Sequence, residues 1–288
     1  MRLLIVNPYA SGVSPERVSQ VRAALGDVEV HETEHPGHAT ELAREAGDAE
    51  AVYVFSGDGG FNEVLNGIGP ETPVGFIPGG GANVLPRVLG LPRDPVGAAE
   101  RIRAGEIRRI TLGKVNGRRF GFSAGLVVDA EAVRRLDLRG RSAEDGRAGN
   151  LIFAWELARL LAERRGRFEP TLEILGRGRA AFAMVANCDP YTYAGPVAVR
   201  VAPEARFDLG LDLVAPRAVS PFTLPRLLGY AVLGRGQTSA GDVVYGHDLD
   251  RIEIVCDGPL PLQVDGEDLG DVTSAVFEAE RSAVAVLN

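Results

Sequence analysis

Three glycine-rich turns limit what this chain can fold into, because each follows directly on a short apolar run and precedes a stretch with helical spacing. Asn7-Pro8-Tyr9-Ala10-Ser11-Gly12 follows Leu3 to Val6, Ser56-Gly57-Asp58-Gly59-Gly60 follows Ala51 to Phe55, and Pro78-Gly79-Gly80-Gly81-Ala82-Asn83 follows Val74 to Ile77. Short continuous apolar runs are strands covered on both faces, and strands alternating with helices build a parallel sheet with crossover helices. The pattern predicts helices from the Ser14-Pro15-Glu16 cap to about Leu25, over Ala39 to Ala46, over Phe61 to Asn66, from near Ala82, and from Asp94-Pro95 to about Ala104. A further strand is predicted over Val28 to Glu32. All three glycine turns then lie at the carboxyl edge of one sheet, where open α/β sheets bind ligands. Missing β-carbons let backbone N–H groups approach an anion, and each following helix turns its positive end to the same place, so phosphate is the natural ligand.

Asp58 stands alone among the glycines of the second turn, placed to hold Mg²⁺ against phosphate oxygens. One Asp-Gly pair would read as a tight turn, but three glycine turns at one edge argue for a site. The spacing matches neither GxxxxGK[ST] nor GxGxxG with an acid some twenty positions on, which sets aside a Walker-type ATPase and a Rossmann dehydrogenase.

Beyond about residue 105 the grammar changes to antiparallel pairs. Ile107 to Val115 and Arg118 to Ser123 flank Asn116-Gly117, the strongest short hairpin signal. Helices are expected around Asp129 to Leu136 and Asn150 to Glu163, with strands near Leu172, Phe182, Val197, Leu211, Ile252 and Leu262, and one or two more over Ala275 to Leu287. Asp137 to Gly149, rich in charge and glycine, reads as a mobile surface loop. The domain boundary is placed near Gly121 to Gly125, giving an α/β domain over 1–122 and a β-rich domain over 123–280.

The chain has 288 residues and a net charge of −8, which argues against a general nucleic-acid binder. The charge is uneven: Arg101 to Arg179 holds 18 basic and 10 acidic residues. This basic middle suits anionic lipid headgroups, with arginines scattered over solvated faces as the alternative. No apolar stretch approaches the roughly 20 residues of a membrane span, and Met1 leads into the first strand without a secretory leader. The expectation is a cytoplasmic protein with peripheral membrane contact. Cys188 and Cys256 lack CxxC spacing and read as buried small hydrophobes, and His31, His35 and His38, broken by Pro36-Gly37, as loop histidines.

SGDGGFNEVLNG, Ser56 to Gly67, resembles the Gly-Gly-Asp-Gly-Thr signature and following Asn-Glu of the diacylglycerol kinase, sphingosine kinase and related bacterial lipid kinase family. PGGGANVLPRVLGLP (Pro78 to Pro92), NPYASG and TEHPGHA (Thr33 to Ala39) resemble its neighbouring motifs. Gly121 to Val133, Asn187 to Pro196, Phe207 to Val214 and Gln263 to Gly270 follow in family order, so the resemblance covers almost the whole chain. It implies that the α/β domain is nucleotide-binding, like that of NAD kinases and diacylglycerol kinases, that the C-terminal domain is β-sandwich-like, that ATP lies in the cleft, and that the final residues, 281–288, return to the first domain. It also implies that Asp58 binds Mg²⁺-ATP, that Gly57, Gly59 and Gly60 cradle phosphates, and that Asn7, Ser11, Thr33, Gly80, Gly81 and Asn83 line the nucleotide. Glu267, in the Asp265-Gly266-Glu267 turn, would be the base that takes the lipid hydroxyl's proton, with Asp129 orienting that site. Asp208 and Asp212 match an acidic region where members hold a structural Mg²⁺.

The implied activity is ATP- and Mg²⁺-dependent phosphorylation of a lipid alcohol such as diacylglycerol at a membrane surface. The chain departs from the pattern at Gly60, where the family usually has Thr, at Gly81, where it commonly has Thr or Ser, and at Ser56, where it has Gly. Two hydroxyls expected near the nucleotide are therefore absent, which keeps open a non-catalytic nucleotide- or lipid-binding protein on the same scaffold. NAD kinase shares the Gly-Asp-Gly loop and is the third reading. Antiparallel edges in the second domain leave a homodimer open.

Overall fold

The computed structural model describes residues 1–138, 148–194 and 197–288. The chain forms two compact units, one of Met1–Leu112 and Arg281–Asn288 with Ala148, the other of the remaining described residues between Gly113 and Glu280.

The first unit is a doubly wound α/β sheet. Its elements are β1 (Arg2–Val6), α1 (Pro15–Leu25), β2 (Glu29–Glu32), α2 (His38–Glu45), β3 (Ala51–Ser56), α3 (Asp58–Leu65), β4 (Val74–Pro78), α4 (Val84–Val88) and α5 (Pro95–Ala104), followed by β5 (Ile107–Val115), which runs into the second unit. The strands pair in parallel in the order β2-β1-β3-β4. Beyond β4 the returning C-terminal segment adds Val286 in parallel register with Val74. Every residue of β3 and β4 is buried, as a parallel sheet covered on both faces requires. Phe55, Phe61, Phe76 and Leu65 are among the largest fully buried side chains.

The second unit is an antiparallel β structure with helices. It comprises β6 (Arg118–Phe120), β7 (Ser123–Leu126), α6 (Val128–Leu138), α7 (Ala148–Glu163), β8 (Leu172–Ile174), β9 (Gly178–Ala180), β10 (Ala183–Ala186), β11 (Thr192–Ala194), β12 (Val197–Val199), β13 (Leu211–Pro216), α8 (Leu224–Leu233), β14 (Val243–Leu249), β15 (Arg251–Val264) and the first part of β16 (Glu267–Leu287). β14, β13, β10, β7 and β15 are neighbours in that order, all antiparallel. A core of Phe120, Leu126, Leu172, Leu213, Ile254, Leu262 and Phe277 lies on the sheet. Two hairpins close on residues with positive φ at both central positions, Asn116-Gly117 (47° and 91°) and Asp265-Gly266 (48° and 81°), the primed geometry that suits strand twist.

Helix α3 begins at Asp58, three residues before the expected Phe61, so Asp58-Gly59-Gly60 is its first turn and not a loop. The expected strand Arg118 to Ser123 is broken at Gly121–Phe122, between β6 and β7, because three successive N–H groups there turn to one carboxylate, described below. Of the expected loop over Asp137 to Gly149, Asp137 is helical in α6, and residues 139–147 lie outside the described residues. Cys188 and Cys256 are both buried.

Candidate functional site

In the first unit, backbone hydrogen bonds join the three glycine turns at the carboxyl edge of the sheet. The Gly12 N–H donates to the Gly79 carbonyl at 2.7 Å, and the Gly79 N–H to the Ser56 carbonyl at 2.7 Å. Gly57 and Gly80 touch backbone to backbone: a β-carbon built on Gly80 would lie 2.7 Å from the Gly57 Cα, inside any real contact. Glycine is required at position 80 by this approach, not by an unusual dihedral.

The helices around these turns differ in how their N-termini are satisfied. Ser14 caps α1 and Asp94 caps α5 with side-chain oxygens, as surface helices normally are. Helix α2 has its first turn served from outside, by the Glu63 carboxylate, which accepts from the N–H groups of Gly37 (2.9 Å) and Ala39 (3.2 Å). Helix α3 has Gly57 at its cap position and so no side-chain cap. The first N–H groups of a helix have no partner within it, and an uncapped, glycine-lined start is a ready anion site.

Asp58 opens this turn, and its Oδ1 accepts from the Val84 N–H at 2.7 Å, so the carboxylate also anchors the start of α4. Asn83, at φ 48°, closes a small loop by bonding both the Gly80 N–H (2.8 Å) and the Gly80 carbonyl (2.6 Å). Gly81 is exposed at the tip. Thr33, at the end of β2, is buried, and its N–H donates to the Val6 carbonyl at 2.8 Å. Asn7 turns its Oδ1 to the Tyr9 N–H. Beside them a polar cavity of about 410 Å³, lined by Pro8, Tyr9, Thr33, Glu34 and His38, opens along the ends of β1 and β2.

In the second unit, Glu267 is the first residue of β16, immediately after the Asp265-Gly266 turn, with Arg118 at 3.3 Å. Buried Asp265 accepts from the N–H groups of Gly121 (2.6 Å), Phe122 (2.9 Å) and Ser123 (3.1 Å), which is what breaks the strand there and fixes the turn. Gln263 takes the Gly266 N–H on its Oε1 (2.9 Å) and donates through Nε2 to Asp129 (2.8 Å) and to the Tyr191 hydroxyl (3.1 Å). Tyr191 lies 2.5 Å from Asp129 Oδ2 and 3.0 Å from the Ala124 carbonyl, two acceptors competing for one phenolic proton. Asp129 and the backbone of Gly266, the residue before Glu267, are thus joined through a single amide side chain. Burial pushes the Asp129 carboxyl above the usual carboxylate range, against the opposing pull of the hydrogen bonds from Tyr191 and Gln263. Burial also raises Tyr191 well above an ordinary phenol, with the Asp129 charge adding to the effect.

Asp129 sits in the wall of a cavity of about 220 Å³ whose lining is otherwise dominated by apolar groups, among them Phe153, Leu157, Phe168, Phe182, Leu224 and Leu227. The space lies between α6, α7, α8 and one face of the sheet.

Asp208 lies in an exposed turn ahead of β13. Asp212 is fully buried, and its carboxylate receives the Tyr245 hydroxyl (2.8 Å), His247 Nδ1 (2.8 Å) and the Asp248 N–H (3.1 Å). Among the described residues no group of three or more His, Cys, Asp or Glu side chains is placed to hold a metal ion. Mg²⁺ commonly takes only one or two protein carboxylates and completes its shell with phosphate and water oxygens, and the lone Asp58 at an anion-binding turn fits that mode. Gln263, Asp265, Tyr191 and Arg118 were not singled out in the sequence, although the first three lie in segments that were. Only the fold shows that they converge.

The chain matches, over residues 2–115, the family model described as the diacylglycerol kinase catalytic domain. It is 37% identical over 100 residues to a diacylglycerol kinase of Bacillus subtilis, 33% of either chain, and 36% identical over 113 residues to one of Staphylococcus epidermidis, 38% of this chain and 36% of the relative. The chain spans between 33% and 51% of the length of these and similar curated relatives. Among solved structures, a diacylglycerol kinase from Bacillus anthracis superposes with a TM-score of 0.71 at 21% identity, covering 99% of this chain and 96% of the other. An NAD kinase from Archaeoglobus fulgidus in complex with ATP gives 0.52 at 12% identity, covering 100% and 94%. These likenesses show the fold, an α/β half followed by a β half.

Proposed function

We propose that the protein is an ATP-dependent lipid kinase that transfers the γ-phosphoryl group to the hydroxyl of diacylglycerol or a related lipid alcohol. The observation that carries this reading is the pairing, in one chain, of an uncapped glycine-lined helix start with an apolar cavity holding a single buried carboxylate.

Each unit supplies one part of the chemistry. The N–H groups of the α3 turn bind phosphate oxygens, with the Gly79–Gly81 loop leaving room for them at its glycines, while Asn7, Ser11, Thr33 and the polar cavity beside β1 and β2 receive the rest of the nucleotide. Asp58 would hold Mg²⁺, which when bound would neutralise charge on the transferring group. In the second unit the apolar cavity takes the acyl part of the lipid. Glu267 accepts the hydroxyl proton, and Asp129, tied to the Glu267 turn through Gln263, positions the alcohol. No covalent enzyme intermediate is required.

The lipid must come from a bilayer, and the cavity wall offers a route. In α8, Leu224, Leu227 and Tyr230 line the cavity, while Val232, Leu233 and the preceding Phe222, which is 93% exposed, face outward. Among the described residues no helix is long and apolar enough to cross a membrane, so the proposed contact is peripheral, with this apolar edge set into the lipid interface.

The test is transfer of label from γ-labelled ATP into a lipid extract, with Mg²⁺ present and then chelated. Mg²⁺-dependent labelling of one lipid class supports the reading and names the substrate. Normal ATP binding with no lipid labelled would favour the non-catalytic scaffold, and NADP formation from NAD would replace the lipid with a nucleotide acceptor.

A further inference from the structure

Gly60 has no room for a side chain, because a β-carbon there would lie 2.1 Å from the Ser56 Oγ and 2.8 Å from the Ser56 Cβ. Ser56, the last residue of β3, fills the space beside the first turn of α3 that a residue at position 60 would otherwise fill. The serine is 1% exposed, and its Oγ is a buried hydroxyl with no hydrogen-bond partner. An unmet buried hydroxyl costs about 1–3 kcal/mol, and buried polar groups in folded proteins are nearly always paired. This one stands at the α3 start that lacks a cap, against the glycines where the three turns meet. The sequence pattern this segment resembles carries its side chain at the position of Gly60 and none at that of Ser56, so the two positions are exchanged here.

We infer that the Ser56 hydroxyl is a phosphate-binding donor: its O–H donates to a phosphate oxygen of the nucleotide at the α3 turn, in the role a hydroxyl at position 60 would otherwise serve. The loss suggested by Gly60 is thereby made good from four residues earlier. The inference rests on the nucleotide reading of the first unit, and the ligand class is a nucleoside polyphosphate.

The experiment is calorimetric titration of ATP, with and without Mg²⁺, into the wild type, Ser56→Ala and the exchange variant Ser56→Gly/Gly60→Thr, with thermal unfolding of each. Ser56→Ala is expected to keep its unfolding midpoint and to bind ATP about tenfold or more weakly, the usual effect of deleting a hydrogen bond to a charged group. The exchange variant is expected to recover affinity to within about threefold of wild type. A wild type that binds no ATP overturns the nucleotide reading and this inference together. A wild type that binds ATP, with Ser56→Ala binding equally well, overturns the inference alone. A folded exchange variant no better than Ser56→Ala also overturns it, because the hydroxyl would then not be transferable between the two positions.

Discussion

The two units solve opposite problems with opposite materials. The first presents backbone: its candidate site is made of N–H groups, missing β-carbons and one carboxylate, and its precision comes from turns bonded to one another at Gly12, Ser56 and Gly79. The second presents side chains, an apolar cavity with Asp129 in its wall and a Gln263 amide linking that acid to the Glu267 turn. A phosphate is bound well by many fixed dipoles at close range, which glycine permits, whereas an acyl chain is bound by shape, which needs bulk. Changes in the first unit should therefore act on nucleotide affinity, and changes in the second on turnover and lipid selection.

The largest effect that would separate them is Glu267→Gln. Loss of a general base should lower kcat by about 10²–10⁴-fold while ATP affinity in a direct titration stays within about twofold. A comparable fall in ATP affinity would break the division of labour.

Asp58→Asn should act the other way, weakening Mg²⁺-ATP binding about ten- to a hundredfold. Because Asn keeps an Oδ1 that can accept the Val84 N–H as Asp58 does, the melting temperature should stay nearly unchanged. Gly80→Ala is a purer test of the backbone site. Its β-carbon must push the Gly57 backbone from 2.7 Å, and about 1–3 kcal/mol of destabilisation together with weakened ATP binding is expected, with no change in which lipid is chosen.

In the second unit the buried acid should show itself through pH. Because burial raises the folded-state value of Asp129 above that of the unfolded chain, its contribution to stability is fully present below the ordinary carboxylate range. It is lost as pH rises through the raised folded value, at about 1.4 kcal/mol for each unit of displacement. Denaturant unfolding at pH 4.5 and 7.5 should therefore show a smaller fall for Asp129→Asn than for wild type, and an equal fall would mean that Asp129 is not the group responsible. The smallest effect is expected at the apolar edge, where Phe222→Ser should reduce vesicle binding several-fold and leave phosphorylation of a detergent-dispersed lipid nearly unchanged.

Much of this architecture was legible in the sequence. The apolar runs Leu3–Val6, Ala51–Phe55 and Val74–Ile77 are strands, Ser14 and Asp94 cap the helices they were expected to cap, and Asn116-Gly117 closes its hairpin. Helix α3 was placed late because Gly59 and Gly60 are poor helix formers, and local preference is overridden where the turn is held between β3 and the neighbouring loops. The expected strand through Gly121 looked continuous because nothing near it in sequence announces that Asp265, over 140 residues away, takes its N–H groups.

The sequence by itself determined the alternation of strand and helix, the three glycine turns, the place of Asp58 in the second of them and the place of Glu267 beside the Asp265-Gly266 turn. Periodicity, capping and turn chemistry are set by residues within a few positions of one another. Only the tertiary structure decided that Gly80 must be glycine because it meets Gly57, that Asp129, Tyr191 and Gln263 form one buried network beside an apolar cavity, and that Ser56 occupies the room left by Gly60. Those facts depend on which groups close packing brings within a few ångströms, and that distance is a property of the folded chain.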